Sequence, residues 1–135
     1  MTLERRIPIR LEQDIVLARQ FARLAASSLG FGTIDQSRIA TAVSELSRNV
    51  IRYATNSFGD VVIRELEGQH GVGLEIVVSD AGPGIGDTDQ VMQDGYTSGQ
   101  GMGLGLPGTK RLMDEMILES TLGCGTTITV RKWRR

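Results

Sequence analysis

Gly99-Gln100-Gly101-Met102-Gly103-Leu104-Gly105-Leu106 places a glycine at every second position directly ahead of Leu106 to Glu115, a segment that reads as a helix. Pro107 falls in the first turn of that helix, where its missing N–H costs little. Alternating glycines before a helix N-terminus present backbone N–H groups and the positive end of the helix dipole to an anion, which makes a ready site for phosphates. A flexible hinge is the competing reading. Ala81 to Gly105 holds eight of the seventeen glycines and shows no periodicity, so it reads as one extended loop. Loops this long in compact domains generally bind or cover something.

Two common nucleotide motifs fail to explain the glycines. Gly103-Leu104-Gly105-Leu106-Pro107-Gly108 has the G-x-G-x-x-G spacing, but that fingerprint has meaning only directly after a strand, and Met92 to Ser98 is polar. In Gly108-Thr109-Lys110 the lysine follows the threonine, so the P-loop order is broken.

Upstream, Asp80-Ala81-Gly82-Pro83-Gly84-Ile85-Gly86 takes an acidic residue out of a strand into a turn where glycines let a ligand approach the backbone. Asp80 there could accept a hydrogen bond from an exocyclic amine, and a plain Asp-Gly turn is the alternative. Further back, Ile39, Val43, Leu46 and Val50 form the apolar stripe of a helix running from Asp35, a plausible N-cap, to about Ala54. Glu45, Asn49 and Arg52 fall on one face of it, beside the Leu46 stripe. A carboxylate and a carboxamide at the margin of a buried face can reach a polar pocket, and a solvated helix flank reads equally well.

The remaining elements complete the order. Glu4 to Arg10 alternates weakly and contains Pro8, which suits an edge strand. Ile15, Ala18, Ala22, Ala25 and Leu29 give a first helix, and Leu17, Phe21 and Leu24 add a second stripe, so both sides of it are expected to be covered. Phe58 to Leu66 and Val72 to Ser79 read as a hairpin with His70 in its turn, and Met116 to Ser120 and Thr126 to Lys132 as a final strand pair around Gly123-Cys124-Gly125. The succession predicts an α/β sandwich with a mixed sheet.

With 135 residues the chain has room for one core, so a single domain over 1–135 is expected. A net charge of -1 lacks the footprint that nucleic-acid binding needs, and the Arg131-Lys132-Trp133-Arg134-Arg135 cluster reads as a solvated end. Cys124 is the only cysteine and has no metal-ligand neighbours. Without a leader pattern or an apolar run of about 18 residues, a cytoplasmic protein with no membrane partner is expected.

Taken in this order and spacing, three elements resemble the N, G1 and G2 boxes of the gyrase, heat-shock chaperone, histidine kinase and mismatch-repair ATPase superfamily, the GHKL or Bergerat-fold group. Ser44-Glu45-Leu46-Ser47-Arg48-Asn49 looks like the N box, Asp80 to Gly86 the D-x-G-x-G box, and Gly101 to Gly105 the G-x-G-x-G box. The likeness runs from the first helix to Gly125-Thr126-Thr127. It implies a two-layer sandwich whose mixed sheet is mostly antiparallel, with about three helices on one face. Within the superfamily the chain is most similar to small bacterial serine/threonine kinases that govern sigma factors by partner switching, especially across Asp94 to Gly99 and Gly105 to Glu115.

That resemblance implies MgATP as cofactor, STAS-domain scaffold or antagonist proteins as substrates, and a PP2C-type phosphatase activated on release. Carried over residue by residue, Glu45 would be the general base, Asn49 would ligate Mg2+, and Asp80 would read the adenine amine. Arg52 would lie near the phosphates, with Gly82, Gly84 and Ile85 near base and sugar. Gly99, Gly101, Met102, Gly103, Leu104 and Gly105 would surround the phosphates, and Thr126 or Thr127 would approach the adenine. Asp87 to Gln100 leaves only a small lid. No phospho-accepting histidine region is attached, which argues against a sensor histidine kinase. Two alternatives remain: an anti-sigma factor that holds a sigma factor, and a non-catalytic module in which nucleotide only orders a binding surface.

Overall fold

The computed structural model describes residues 3–53, 59–82, 105–121 and 123–135. Among these the order is β1 (Glu4–Ile9), α1 (Glu12–Ser28), α2 (Thr33–Tyr53), β2 (Gly59–Gly68), β3 (Gly71–Asp80), α3 (Leu106–Leu112), β4 (Glu115–Thr121) and β5 (Gly125–Trp133). The sheet runs β1-β2-β3-β5-β4, and all four pairings are antiparallel. The expected mixed sheet is thereby corrected. β4 does run in the same direction as β3, but β5 folds back between them, so the two never share a ladder.

Strand alternation sends Ile7, Ile9, Val61, Ile63, Leu74, Ile76, Val78, Ile128 and Val130 to one face, where they form a single core with the helices. α1 meets that core through small residues: Ala18, Ala22, Ala25 and Ala26 are buried and let α2 lie close, with Ile39, Val43 and Leu46 behind them. The second α1 stripe is covered only in part. Phe21 is half-buried against the core with Arg5 over its ring, whereas Leu17 and Leu24 are 49% and 67% exposed, because the alanine flank of α1 is the one that packs on α2.

Local chemistry sets the helix ends. Asp14 accepts the Arg10 and Leu11 N–H groups at 2.9 Å and closes the start of α1. Gly30, at φ +88°, turns the chain at its other end so that Phe31 N–H reaches Ala26 O and the Phe31 ring enters the core. α2 begins two residues before Asp35, which lies in the first turn and pairs with Arg38 at 3.0 Å instead of capping. α3 stops at Leu112, three residues short of expectation, because Asp114 N–H bonds Arg131 O and draws the chain onto β5 as β4 begins.

One glycine sets the spacing of the layers. A Cβ at Gly59 would collide with the Ser79 carbonyl and sit 2.7 Å from Val50 Cγ1 and 3.3 Å from Asp80 Cβ. Its absence lets α2 settle onto the ends of β2 and β3, bringing the turn that carries Asn49 down to the layer of Asp80.

Candidate nucleotide and phosphotransfer site

The site gathers where α2, the end of β3, the start of α3 and the start of β5 converge. Glu45 is half-exposed on α2, and its Oε1 accepts Arg48 Nη1 at 2.9 Å. Its Oε2 faces the Gly105 turn, where a Cβ would lie 3.4 Å away. Gly105 has φ +70° and is the residue before α3, so the last residue of the glycine segment lies beside the helix carboxylate. Gly105 O in turn accepts the Thr109 N–H at 3.0 Å and its hydroxyl at 2.9 Å, which anchors the turn to the helix it starts. Asn49 follows one turn along α2 and is half-buried, whereas Arg52 is exposed in the last turn.

Asp80 ends β3 with its Oδ1 accepting the Gly82 N–H at 2.8 Å, a side-chain turn that folds the buried Gly82 over it. Burial pushes the Asp80 carboxyl above its ordinary value, and hydrogen bonds from the Gly82 and Thr126 backbones pull it part of the way back. A carboxylate held this way is a buried acceptor whose charge a donor from a ligand would stabilise. Thr126 lies opposite Asp80 in the β3–β5 ladder and is buried, with its Oγ1 2.8 Å from Ser120 Oγ. Thr127 pairs with Ser79 and points to the other face of the sheet, so the structure brings Thr126 to Asp80 and leaves Thr127 apart.

Of the residues singled out from the sequence, the structure brings Glu45 to Gly105 and, at the end of β3, Gly82 and Thr126 to Asp80, while Asn49 lies on α2 one turn beyond Glu45. Gly84, Ile85, Gly99, Gly101, Met102, Gly103 and Leu104 lie outside the described residues, as does the Asp87 to Gln100 lid. Sequence reasoning passed over three participants. Gly125, at φ +96°, has no room for a side chain because a Cβ would strike the Asp80 carbonyl; only its place in a turn was visible. Ser120 reaches Thr126 through a hairpin register that no linear spacing announces. Arg48 was inside the quoted helix motif, and its three-residue offset from Glu45 was the available signal.

Comparison with known proteins gives the family. The model of the histidine kinase-, DNA gyrase B- and HSP90-like ATPase family matches residues 34–135, and the chain belongs to that family. It is 50% identical over 129 residues to the serine/threonine-protein kinase RsbT of Bacillus subtilis, covering 96% of each chain. It is also 36% identical over 106 residues to the anti-sigma F factor of Priestia megaterium, covering 74% of this chain and 71% of the relative. Among solved structures, the RsbU and RsbW domains of a Mycobacterium tuberculosis protein align with a TM-score of 0.67 at 20% identity, over 99% of this chain and 32% of that one. The catalytic domain of the histidine kinase ThkA aligns with a TM-score of 0.58 at 14% identity over 96% of each. These two likenesses show the fold. No helix among the described residues is long and apolar enough to cross a membrane.

Proposed function

We propose that this chain is a MgATP-dependent protein serine/threonine kinase of a bacterial partner-switching stress pathway, with residues 1–135 working as one cytoplasmic ATPase domain. Its substrates are STAS-domain scaffold or antagonist proteins, and the released kinase activates a PP2C-type phosphatase. The observation that carries this reading is the apposition of Glu45 Oε2 to Gly105 at the N-terminal end of α3. A carboxylate at that point stands beside the place where backbone N–H groups would hold phosphates. The 50% identity to RsbT supports the same activity.

Asp80 accepts the adenine amine and Thr126 lines the base, while Gly82 and Gly84 with Ile85 leave room for base and sugar. The segment from Gly99 to Gly105, with Met102 and Leu104 between its glycines, surrounds the phosphates, and Arg52 lies near them. The donor available on α2 is neutral oxygen, from the half-buried Asn49. A single Asn49 carboxamide oxygen matches an ion that keeps its waters and takes phosphate oxygens as its other ligands. Mg2+ supplies charge neutralisation on the transferring phosphoryl group. Glu45 accepts the proton of the incoming serine or threonine hydroxyl as the hydroxyl oxygen attacks the γ-phosphorus of ATP and the bond to the leaving ADP breaks.

Calorimetry with ATP, with and without Mg2+, followed by transfer of labelled phosphate to a purified STAS-domain scaffold, tests the proposal. Glu45→Ala should lower transfer by about 100-fold or more with ATP affinity held within a few-fold; parallel loss of both would remove Glu45 from its role as base. The identity to anti-sigma F factors favours a second reading, in which the chain holds a sigma factor. Co-purification of a sigma factor in place of a phosphatase would select it. A Glu45→Ala variant that still activates the phosphatase fully would show that partner activation stands apart from catalysis.

A further inference from the structure

Arg48 is assigned no contact with the nucleotide, yet its side chain bonds the carboxylate proposed as the base. Its Nη1 donates to Glu45 Oε1 at 2.9 Å across one turn of α2. Oε2 of the same carboxylate faces the Gly105 turn. The two oxygens therefore have separate surroundings, one on the flank of the helix and one at the N-terminal end of α3. Bases in nucleophile-activating constellations are commonly oriented by a third group of this kind. The pair contributes little to the fold, because its side chains are 33% and 41% exposed and an exposed pair within one helix is largely screened. Its geometry nevertheless bears on function, since a glutamate with three side-chain torsions presents its oxygen in many directions unless something selects one.

We infer that Arg48 is a positioning residue for phosphoryl transfer: by holding Glu45 Oε1 it presents Oε2 at the Gly105 turn, where the acceptor hydroxyl arrives. This rests on Glu45 being the base. Arg48 touches neither nucleotide nor acceptor in this arrangement, so its loss acts on the rate of transfer and leaves nucleotide binding alone.

The test compares wild type, Arg48→Ala, Arg48→Lys and Glu45→Ala as full chains, measuring single-turnover transfer from MgATP to a purified STAS-domain scaffold, ATP affinity by calorimetry, and the melting midpoint. Arg48→Ala is expected to slow transfer about tenfold, a modest share of what misplacing a catalytic group can cost, with ATP affinity within about twofold and the midpoint unchanged. Arg48→Lys is expected to recover part of the rate, because an ammonium can still reach Oε1. An unchanged or faster rate in Arg48→Ala overturns the inference, and so does a fall in ATP affinity as large as the fall in rate, which would make Arg48 a phosphate contact. If Glu45→Ala transfers at the wild-type rate, the base reading itself fails. If Glu45→Ala is inactive while Arg48→Ala is intact, the inference alone fails.

Discussion

Asp80 is the residue whose protonation should be visible in binding. Burial raises its pKa above 3.8, against the hydrogen bonds from Gly82 and Thr126. A raised folded-state value means the folded protein holds this proton more tightly than the unfolded chain. The ionised form therefore costs stability at neutral pH, and the cost is recovered as pH falls through the folded value. With Asp80 in its proposed role as acceptor of the adenine amine, binding runs the other way, because that role needs the ionised form. ATP affinity, measured by calorimetry across a pH series, should fall on acidification, beginning above the range of an ordinary aspartate. Asp80→Asn should weaken binding at neutral pH by about tenfold to 100-fold, the scale of a hydrogen bond to a charged group, and should lose that pH limb. Gly125→Ala tests the same corner sterically. Its φ of +96° and the Asp80 carbonyl both exclude a Cβ, so the variant should lose at least about 1 kcal/mol of stability in urea unfolding and bind ATP more weakly.

Among the elements, the sheet face turned away from the helices carries a row that crosses all five strands: Glu4, Arg64, Glu75, Arg131 and Glu115 stand side by side in the ladder. Glu75 is at its centre, 5% exposed. It accepts Arg64 Nε at 3.0 Å and Arg131 Nε at 2.7 Å, and Arg131 also reaches Glu115 at 3.5 Å. Burial pushes the Glu75 carboxyl up, but the Arg131 and Arg64 hydrogen bonds and charges outweigh it and hold the group below 4.5. A lowered folded-state pKa gives stability that is present above the unfolded value and lost as pH falls through the folded one. Glu75→Gln should therefore lower stability at neutral pH by about 1–2 kcal/mol, discounted for the partial exposure of both arginines. It should also flatten the acid dependence of the melting temperature below pH 4.5.

At the scale of the whole molecule, Lys132 ties distant pieces together. It lies on the core side of β5 and is 4% exposed, with Nζ donating to Leu112 O at 2.8 Å and lying 3.7 Å from Asp35 and 3.9 Å from Asp114. One ammonium thus joins the start of α2, the end of α3 and the last strand. Lys132→Met keeps the apolar stem but leaves a helix-terminal carbonyl without its donor and two acids without their shared cation. It should cost about 2–3 kcal/mol, read as a lower urea midpoint with an unchanged slope.

Much of the architecture was legible because its signals are local. Apolar period marked α1, α2 and the strands, glycine and proline marked the turns, and the spacing of Glu45, Asn49, Asp80 and the last glycine segment marked the family. These depend on residues near in sequence, where side-chain direction follows from backbone geometry. Tertiary structure decided what depends on register and approach. The insertion of β5 between β3 and β4 made the sheet wholly antiparallel. The β3–β5 register chose Thr126 over Thr127 beside Asp80. Packing left Leu24 exposed on a helix whose pattern suggested two covered sides. The placement of Gly105 against Glu45, and of Gly59 and Gly125 against Asp80, comes from contacts between segments far apart in the chain. A linear spacing carries no distance between such segments, so only the folded chain supplies it.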